Sequence, residues 1–272
     1  MMKKQQAPEK NYEGKLLTAK SPFAINEAFR TLRTNMFYTS KGENCPVYGI
    51  TSCFANSGKS LIISNTAISF AQLNKKVLLI DCDLRNSVIH KIFGVEKGFG
   101  ISELLAGSGN AVDKALRKTS YENLQIITSG GTPPNPTELL ASERMEKLIE
   151  MLKGHFDVIF IDLPPIGLVT DAAVLNETVT GFVVVVRSGF DDRRDLKAAL
   201  SGMEQTDLKI IGFILNDVNI KVAGKYGKYG KYGRYGRYGK YGKYQKYGKY
   251  QKYGKYQKYG KYYTSYNNYN NY

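Results

Sequence analysis

The tetrapeptide Ser57-Gly58-Lys59-Ser60 is the stretch of this chain best suited to chemistry on phosphates. It follows a short apolar run, PVYGITS, and opens a helix-patterned segment, which is the setting a phosphate-binding loop requires. Phosphate oxygens need several converging donors, and loop amides together with a helix N-terminus supply them. Lys59 would reach the β and γ phosphates, and the Ser60 hydroxyl would coordinate Mg²⁺. The full pattern G-x-x-x-x-G-K-[ST] asks for glycine where Cys53 stands, so a polar turn before a helix is the competing reading. Three aspartates strengthen the phosphate reading. Asp81 and Asp83 end the run VLLIDCDLR, and Asp162 ends VIFIDLPP. Ligands of open α/β sheets bind at the carboxyl ends of strands. One such aspartate would be read as a cap of the next helix; three, with the lysine, point to a Mg²⁺–nucleotide site.

The elements that must position these groups alternate. SPFAINEAFRTLRTNMFYTS repeats apolar residues every three or four positions and reads as a helix, with Asn26 as its cap and Glu27 in its first turn. PVYGITS, KVLLID, LQIITSG, FDVIFIDLPP, GFVVVVRSG and KIIGFILNDV read as strands. Helices are predicted from Ser60 to about Leu73, over GISELLAG and AVDKALRK, as one long helix over NPTELLASERMEKLIEMLKGH, over DAAVLNETV, and over RRDLKAALSGMEQT. Uninterrupted apolar strands between helices predict an α/β fold: a doubly wound, mostly parallel sheet of the P-loop NTPase type. The expected organisation is a polar arm over residues 1–20, a catalytic domain over 21–220 and a tail over 221–272.

Charge separates body from tail. Of 39 basic residues, 14 lie from Lys221 onward, where there is no acidic residue, which leaves 25 basic against 24 acidic before it. The net charge of +15 therefore describes the tail. The tail holds 17 of the 21 tyrosines, among lysine, arginine, glycine and glutamine, and lacks the aliphatic residues to pay for ordering, so it is expected to be disordered. Basic residues interleaved with aromatics can also bind single-stranded nucleic acid or anionic lipid; lipid is the expected alternative and nucleic acid the disfavoured one. Cys45, Cys53 and Cys82 show no paired spacing, which fits free thiols in a reducing compartment. His90 and His155 are isolated and carry no metal pattern. No secretory leader and no run of about 20 apolar residues is visible, so the chain is expected in the cytoplasm.

The motifs together resemble the bacterial tyrosine kinases in which the cytoplasmic kinase is a chain separate from its membrane adaptor. The residues that carry the resemblance are ANSGKS, LLIDCDLR, VIFIDLPP, PPNPTELLAS and, in EAFRTLRTN, an E-x-x-R-x-x-R-x-N pattern; it covers roughly residues 15–220. In that family the loop reads P-G-x-G-K-[ST], and here Ala55-Asn56 replaces Pro-Gly; asparagine tolerates a left-handed backbone, so the loop can still form. Related positioning and partitioning ATPases of the MinD and ParA type are the alternative, with the tail as a membrane or nucleic-acid tether. They carry a signature lysine where this chain has Phe54.

The resemblance implies a non-specific protein-tyrosine kinase using ATP and Mg²⁺. Ala55, Asn56, Ser57, Gly58, Lys59, Ser60 and Leu61 would bind nucleotide, with Asn216 at the adenine. Ser60, Asp83 and Asp162 would serve the metal. Asp81 or Asp83 would accept the phenolic proton, which a pKa of about 10 makes necessary near neutral pH. Arg85 would stabilise phosphate charge, unless it serves only as a structural ion pair. The acceptors would be Tyr226, Tyr229, Tyr232, Tyr235, Tyr238, Tyr241, Tyr244, Tyr247, Tyr250, Tyr253, Tyr256, Tyr259, Tyr262, Tyr263, Tyr266, Tyr269 and Tyr272. Glu27, Arg30, Arg33 and Asn35 would join subunits into a ring-like homo-oligomer, with an octamer as the candidate size. At about −1.5 to −2 charges per phosphate, about eight to ten modifications would cancel the tail's charge and dissociate that ring. The implied partners are a transmembrane adaptor of the polysaccharide co-polymerase type and a cognate tyrosine phosphatase. The implied setting is the inner face of the membrane and the control of capsule or exopolysaccharide synthesis and export.

Overall fold

Apolar runs without polar interruption form the middle of a parallel sheet. β1 (Val47–Ser52), β2 (Val77–Asp81) and β5 (Val158–Asp162) are buried at every position, as strands covered on both faces must be. The computed structural model describes residue 12 and residues 14–107, 112–166, 170–191, 193–205 and 207–218. These fall in the first of two units, Met1–Tyr235; the second, Gly236–Tyr272, contains none of them. Among the described residues the sheet has seven strands in the order β3-β4-β2-β5-β1-β6-β7, adding β3 (Leu116–Lys118), β4 (Leu124–Ile127), β6 (Gly181–Arg187) and β7 (Ile210–Asn216). All neighbours pair in parallel except β3 with β4. The expected α/β, mostly parallel, P-loop-type fold is the one observed.

Side-chain alternation along each strand divides the core between two faces. Tyr48, Ile50, Val77, Leu79, Val158 and Phe160 face one layer, with α1 (Phe23–Thr39), α2 (Lys59–Ala71) and α3 (Ile89–Phe93). Phe160 stacks on Tyr48 with ring centres 5.6 Å apart and meets Phe70 edge-on at 5.2 Å. The buried Tyr48 hydroxyl donates to the Met36 carbonyl at 2.7 Å, so the aromatic core carries no unsatisfied phenol. Leu78, Ile80, Ile159 and Ile161 face the other layer, with α4 (Ile101–Ala106), α6 (Pro136–Leu140) and α7 (Glu143–Lys153). α8 (Arg193–Gln205) covers Val184 through Leu196, Ala199 and Leu200.

Several local expectations are corrected. α1 starts after Pro22, whose fixed φ suits a helix start, and Asn26 lies inside it, donating to the Ser21 carbonyl at 3.0 Å. The long helix breaks into α6 and α7 because Ser142, at the N-cap position of α7, is extended (φ −77, ψ 148), with its hydroxyl donating back to the Leu139 carbonyl at 2.7 Å. The break turns Met145, Leu148, Ile149 and Leu152 inward as one stripe. AVDKALRK is helical only over α5 (Val112–Ala115); Leu116, Arg117 and Lys118 then form the antiparallel edge strand, whose charges discourage further pairing. DAAVLNETV gives only a 3-10 helix, Thr170–Leu175, and α3 was not anticipated. Residues 1–20, read as an arm, are described only from Tyr12, and there Leu17 is buried at 2 % exposure. The tail and its 17 tyrosines lie outside the described residues. No described helix is long and apolar enough to cross a membrane.

Candidate active site at the ends of three strands

β1 lies between β5 and β6, and β2 lies on the far side of β5, so the carboxyl ends of β1, β5 and β2 stand side by side. The loop after β1 turns into α2 through two left-handed residues, Asn56 (φ 63) and Gly58 (φ 88). Asparagine can hold that conformation where the related loops carry glycine. The Ser57 hydroxyl donates to the Phe54 carbonyl at 2.9 Å and closes the turn. Two side chains from neighbouring strand ends support the loop from outside. The Asn216 amide donates to the Ser57 carbonyl at 2.9 Å, and the Arg187 guanidinium to the Asn56 carbonyl at 3.5 Å. Arg187 is itself held by Asp217 at 3.0 Å.

Lys59, the first residue of α2, is 8 % exposed and reaches back across the strand ends. Its ammonium donates to Asp83 Oδ2 at 2.9 Å, to Asp162 Oδ1 at 3.3 Å and to Ser60 Oγ at 3.3 Å. Burial opposes the charge on Lys59, but Asp162 and Asp83 outweigh it and hold its pKa above the usual lysine value. Asp81 and Asp162 are register partners across β2 and β5. Both are pushed up: Asp81 to about 8, by burial and then by the charge of Asp162, and Asp162 by burial against the opposing pull of Lys59. Asp81 Oδ2 accepts from the Ile89 amide at 3.1 Å, which ties the start of α3 to the site. Asp83 Oδ1 accepts from the Asn86 amide at 3.0 Å.

Three buried aspartates share one ammonium, so the cluster is short of positive charge, and burial with the charge of Asp162 favours the protonated form of Asp81. Asp81 Oδ1 and Asp162 Oδ2 are buried oxygens without a hydrogen-bond partner. A divalent cation would answer both deficits. Among the described residues no three His, Cys, Asp or Glu side chains form a metal cage of their own. Mg²⁺ binds through one or two protein oxygens, water and substrate phosphates. Ser60, Asp83 and Asp162, the groups nominated for the metal, are the groups that hold Lys59.

The other nominated residues divide. Ala55, Asn56, Ser57, Gly58 and Leu61 lie on the loop and the first turn of α2. Arg85 contacts the Thr137 hydroxyl at 3.3 Å, joining the strand end to α6. Asn216 lies against the phosphate loop itself: a Cβ on Gly58 would come within 2.4 Å of its amide nitrogen. Glu27 and Arg30 pair within α1 at 2.6 Å on the surface. Arg33 turns inward to the hydroxyl of Ser69 on α2 at 3.1 Å and also to the Ser69 carbonyl. Cys53 and Cys82 are buried, and burial pushes Cys53 up to about 11 and Cys82 well above the ordinary thiol range, which makes both inert fillers. Sequence reasoning missed Arg187 and Asp217; an arginine ending the strand beside β1 was the available signal.

Comparison with known proteins places this geometry. A family described as an AAA domain matches residues 55–190. The tyrosine-protein kinase CpsD of Streptococcus agalactiae is 41 % identical over 224 residues, covering 79 % of this chain and 94 % of that protein. The solved kinase domain of the Escherichia coli tyrosine kinase ETK superposes with a TM-score of 0.67 at 36 % identity, over 71 % of this chain and 75 % of that one. The chimerical protein CapA2B2 superposes with a TM-score of 0.68 at 34 % identity, over 73 % and 86 %.

Proposed function

Since the chain belongs to the bacterial tyrosine kinases, we propose that it transfers the γ-phosphoryl group of ATP to the tyrosines of its own C-terminal cluster, one subunit serving another. The observation that carries this reading is the ammonium of Lys59, held by Asp83 and Asp162 at the mouth of a phosphate loop, in a chain that ends in 17 closely spaced tyrosines. Phosphoryl transfer asks for positioning and charge neutralisation more than for covalent chemistry. Lys59 would leave the carboxylates for the β and γ phosphates. Ser60, Asp83 and Asp162 would take the metal, and bound Mg²⁺ would neutralise charge on the phosphate oxygens. Asp81 is fully buried, with one oxygen committed to Ile89, so it would orient the metal's surroundings. Asp83, at 3 % exposure, is the better candidate to receive the phenolic proton.

The basic tail would reach the acidic site of a neighbour in a ring of subunits, of which an octamer is the candidate. Exposed Arg30 and Asn35, with half-buried Glu27, would face that neighbour. Accumulating phosphate would cancel the tail's charge and open the ring, and a cognate tyrosine phosphatase would reset it. A transmembrane adaptor of the polysaccharide co-polymerase type would hold the kinase at the inner membrane face and activate it, placing it in control of capsule or exopolysaccharide synthesis. Direct contact of the basic tail with anionic lipid would add to that attachment. The test is intact-mass spectrometry after incubation with Mg²⁺-ATP, with and without the adaptor's cytoplasmic peptide, beside Lys59→Met. A ladder of phosphates mapping to Tyr226–Tyr272, absent in the variant, is expected. ATP hydrolysis without a ladder in either condition would reject the reading.

A further inference from the structure

The two edges of the sheet are built differently. β3, at one edge, is three residues long and carries Arg117 and Lys118, charges that keep other strands away. β7, at the other edge, is seven residues long and carries no charge. Among the described residues no strand pairs with its outer side. Register with β6 sets its faces: Phe213 and Leu215 lie beside Val184 and Val186, on the side that α8 covers. α8 buries Val184 but leaves Phe213 55 % and Leu215 58 % exposed. A long, uncharged edge flanked by two large apolar side chains is a surface that takes a further strand.

The chain that leaves β7 fits that edge. The described residues end at Val218, two positions past the strand. Asp217 is left-handed (φ 58), and Arg187 holds its carboxylate at 3.0 Å. Both common two-residue hairpin turns need a positive φ at their first residue. Asn219, Ile220, Lys221 and Val222 then alternate polar and apolar, the pattern of a strand with one face covered. No leucine, isoleucine, valine or methionine follows them in the chain. A turn at Asp217 and Val218 sets Leu215 opposite Ile220 and Phe213 opposite Val222. Both apolar pairs fall on the face where Phe213 and Leu215 stand exposed. A register one residue away would put Asn219 and Lys221 there instead.

We propose that residues 219–223 return along the open edge of β7 as an antiparallel strand, so that the root of the chain's own tail occupies this surface. Lys221 falls on the opposite face beside Ile214, where its stem lies along apolar surface and its ammonium reaches water. The tail then departs near Gly212, about 13 Å down the strand from Asn216, toward the end of the sheet remote from Lys59. Tyr226 thereby starts away from the site of its own chain, which favours delivery to a neighbour.

Cross-linking tests this without nucleotide, and so apart from the kinase reading. Full-length Phe213→Cys/Val222→Cys is oxidised beside Phe213→Cys/Lys221→Cys, which is one position out of register. In the proposed pairing Phe213 and Val222 form a non-hydrogen-bonded pair, whose side chains stand closest; the native Cys45, Cys53 and Cys82 are buried. A disulfide within one chain is expected, forming at least tenfold faster in the first variant. Equal rates, or no disulfide in either, overturn the pairing. Disulfides that join two chains give the edge to a second copy and overturn it too. Hydrogen exchange on chains with native cysteines supplies a second reading. The β7 peptide should exchange at least tenfold faster in Ile220→Asp/Val222→Asp than in wild type. No change, or protection of β7 that comes only with added adaptor peptide, overturns the inference.

Discussion

The side-chain amide of Asn216, at the end of β7, donates to the carbonyl of Ser57 at 2.9 Å and packs against Gly58. The phosphate loop, lacking the proline and glycine of its relatives, is thus braced by a residue 159 positions away. The brace also gives Gly58 a second reason to be glycine: its φ of 88 is left-handed, and any Cβ there would strike the Asn216 amide.

Asn216→Ala should weaken nucleotide binding roughly fivefold, the equivalent of about 1 kcal/mol for one lost hydrogen bond. Titration with ATP and GTP separates two roles. Equal losses for both mark a brace on the loop, and a loss confined to ATP marks a contact with adenine.

Stability should depend on pH through Asp81. Its pKa is pushed up to about 8 in the folded chain, against about 3.9 unfolded. The folded state therefore binds more protons between those values, and stability falls as pH rises through that window. Thermal melting of the nucleotide-free protein should show a lower midpoint at pH 8 than at pH 5.5. Asp81→Asn should flatten the trend, since its carbonyl can still accept from Ile89. A midpoint that rises toward pH 8 would contradict the assignment.

Arg33 and Arg30 should behave differently. Arg33→Ala removes the clasp between α1 and Ser69 and should lower stability by about 1–3 kcal/mol, because buried partners are left unsatisfied. Arg30→Ala loses only an exposed pair with Glu27, a matter of about 0–1 kcal/mol, and should instead lower oligomer size. Urea melts and light scattering on both variants check this. Equal melts would remove the distinction.

The tail contains its own control. From Tyr226 to Tyr262 every tyrosine follows a lysine or arginine, whereas Tyr263, Tyr266, Tyr269 and Tyr272 do not. An acidic site attracts basic segments, so phosphate should appear on the first group well before the last four. Time-resolved peptide mapping at low and high salt reads this, and the preference should shrink as salt rises.

The central fold was legible because its strands are plain runs of apolar residues, two of which, β2 and β5, end in aspartate. Lys59, Asp81 and Asp162 meet because each ends a strand or begins the helix that follows one, and Asp83 joins them two residues beyond the end of β2. Local competition was harder to read. Nothing in ASERMEK marks Ser142 as a break until packing asks α7 to turn its stripe inward. The residues around Arg117 follow a helical pattern, yet the open edge of β4 claims them. Arg187 and Asp217 carry no motif, since their work depends on which strand lies beside β1.

α2 begins at Lys59 and is gripped ten residues later by Arg33 of α1. Ten residues of helix make a stiff rod of about 15 Å. A push on α1 therefore arrives at the phosphate loop with little to absorb it on the way. If neighbours hold one another by α1, each subunit can register its company at the place where it holds the nucleotide, and turnover becomes a gauge of assembly.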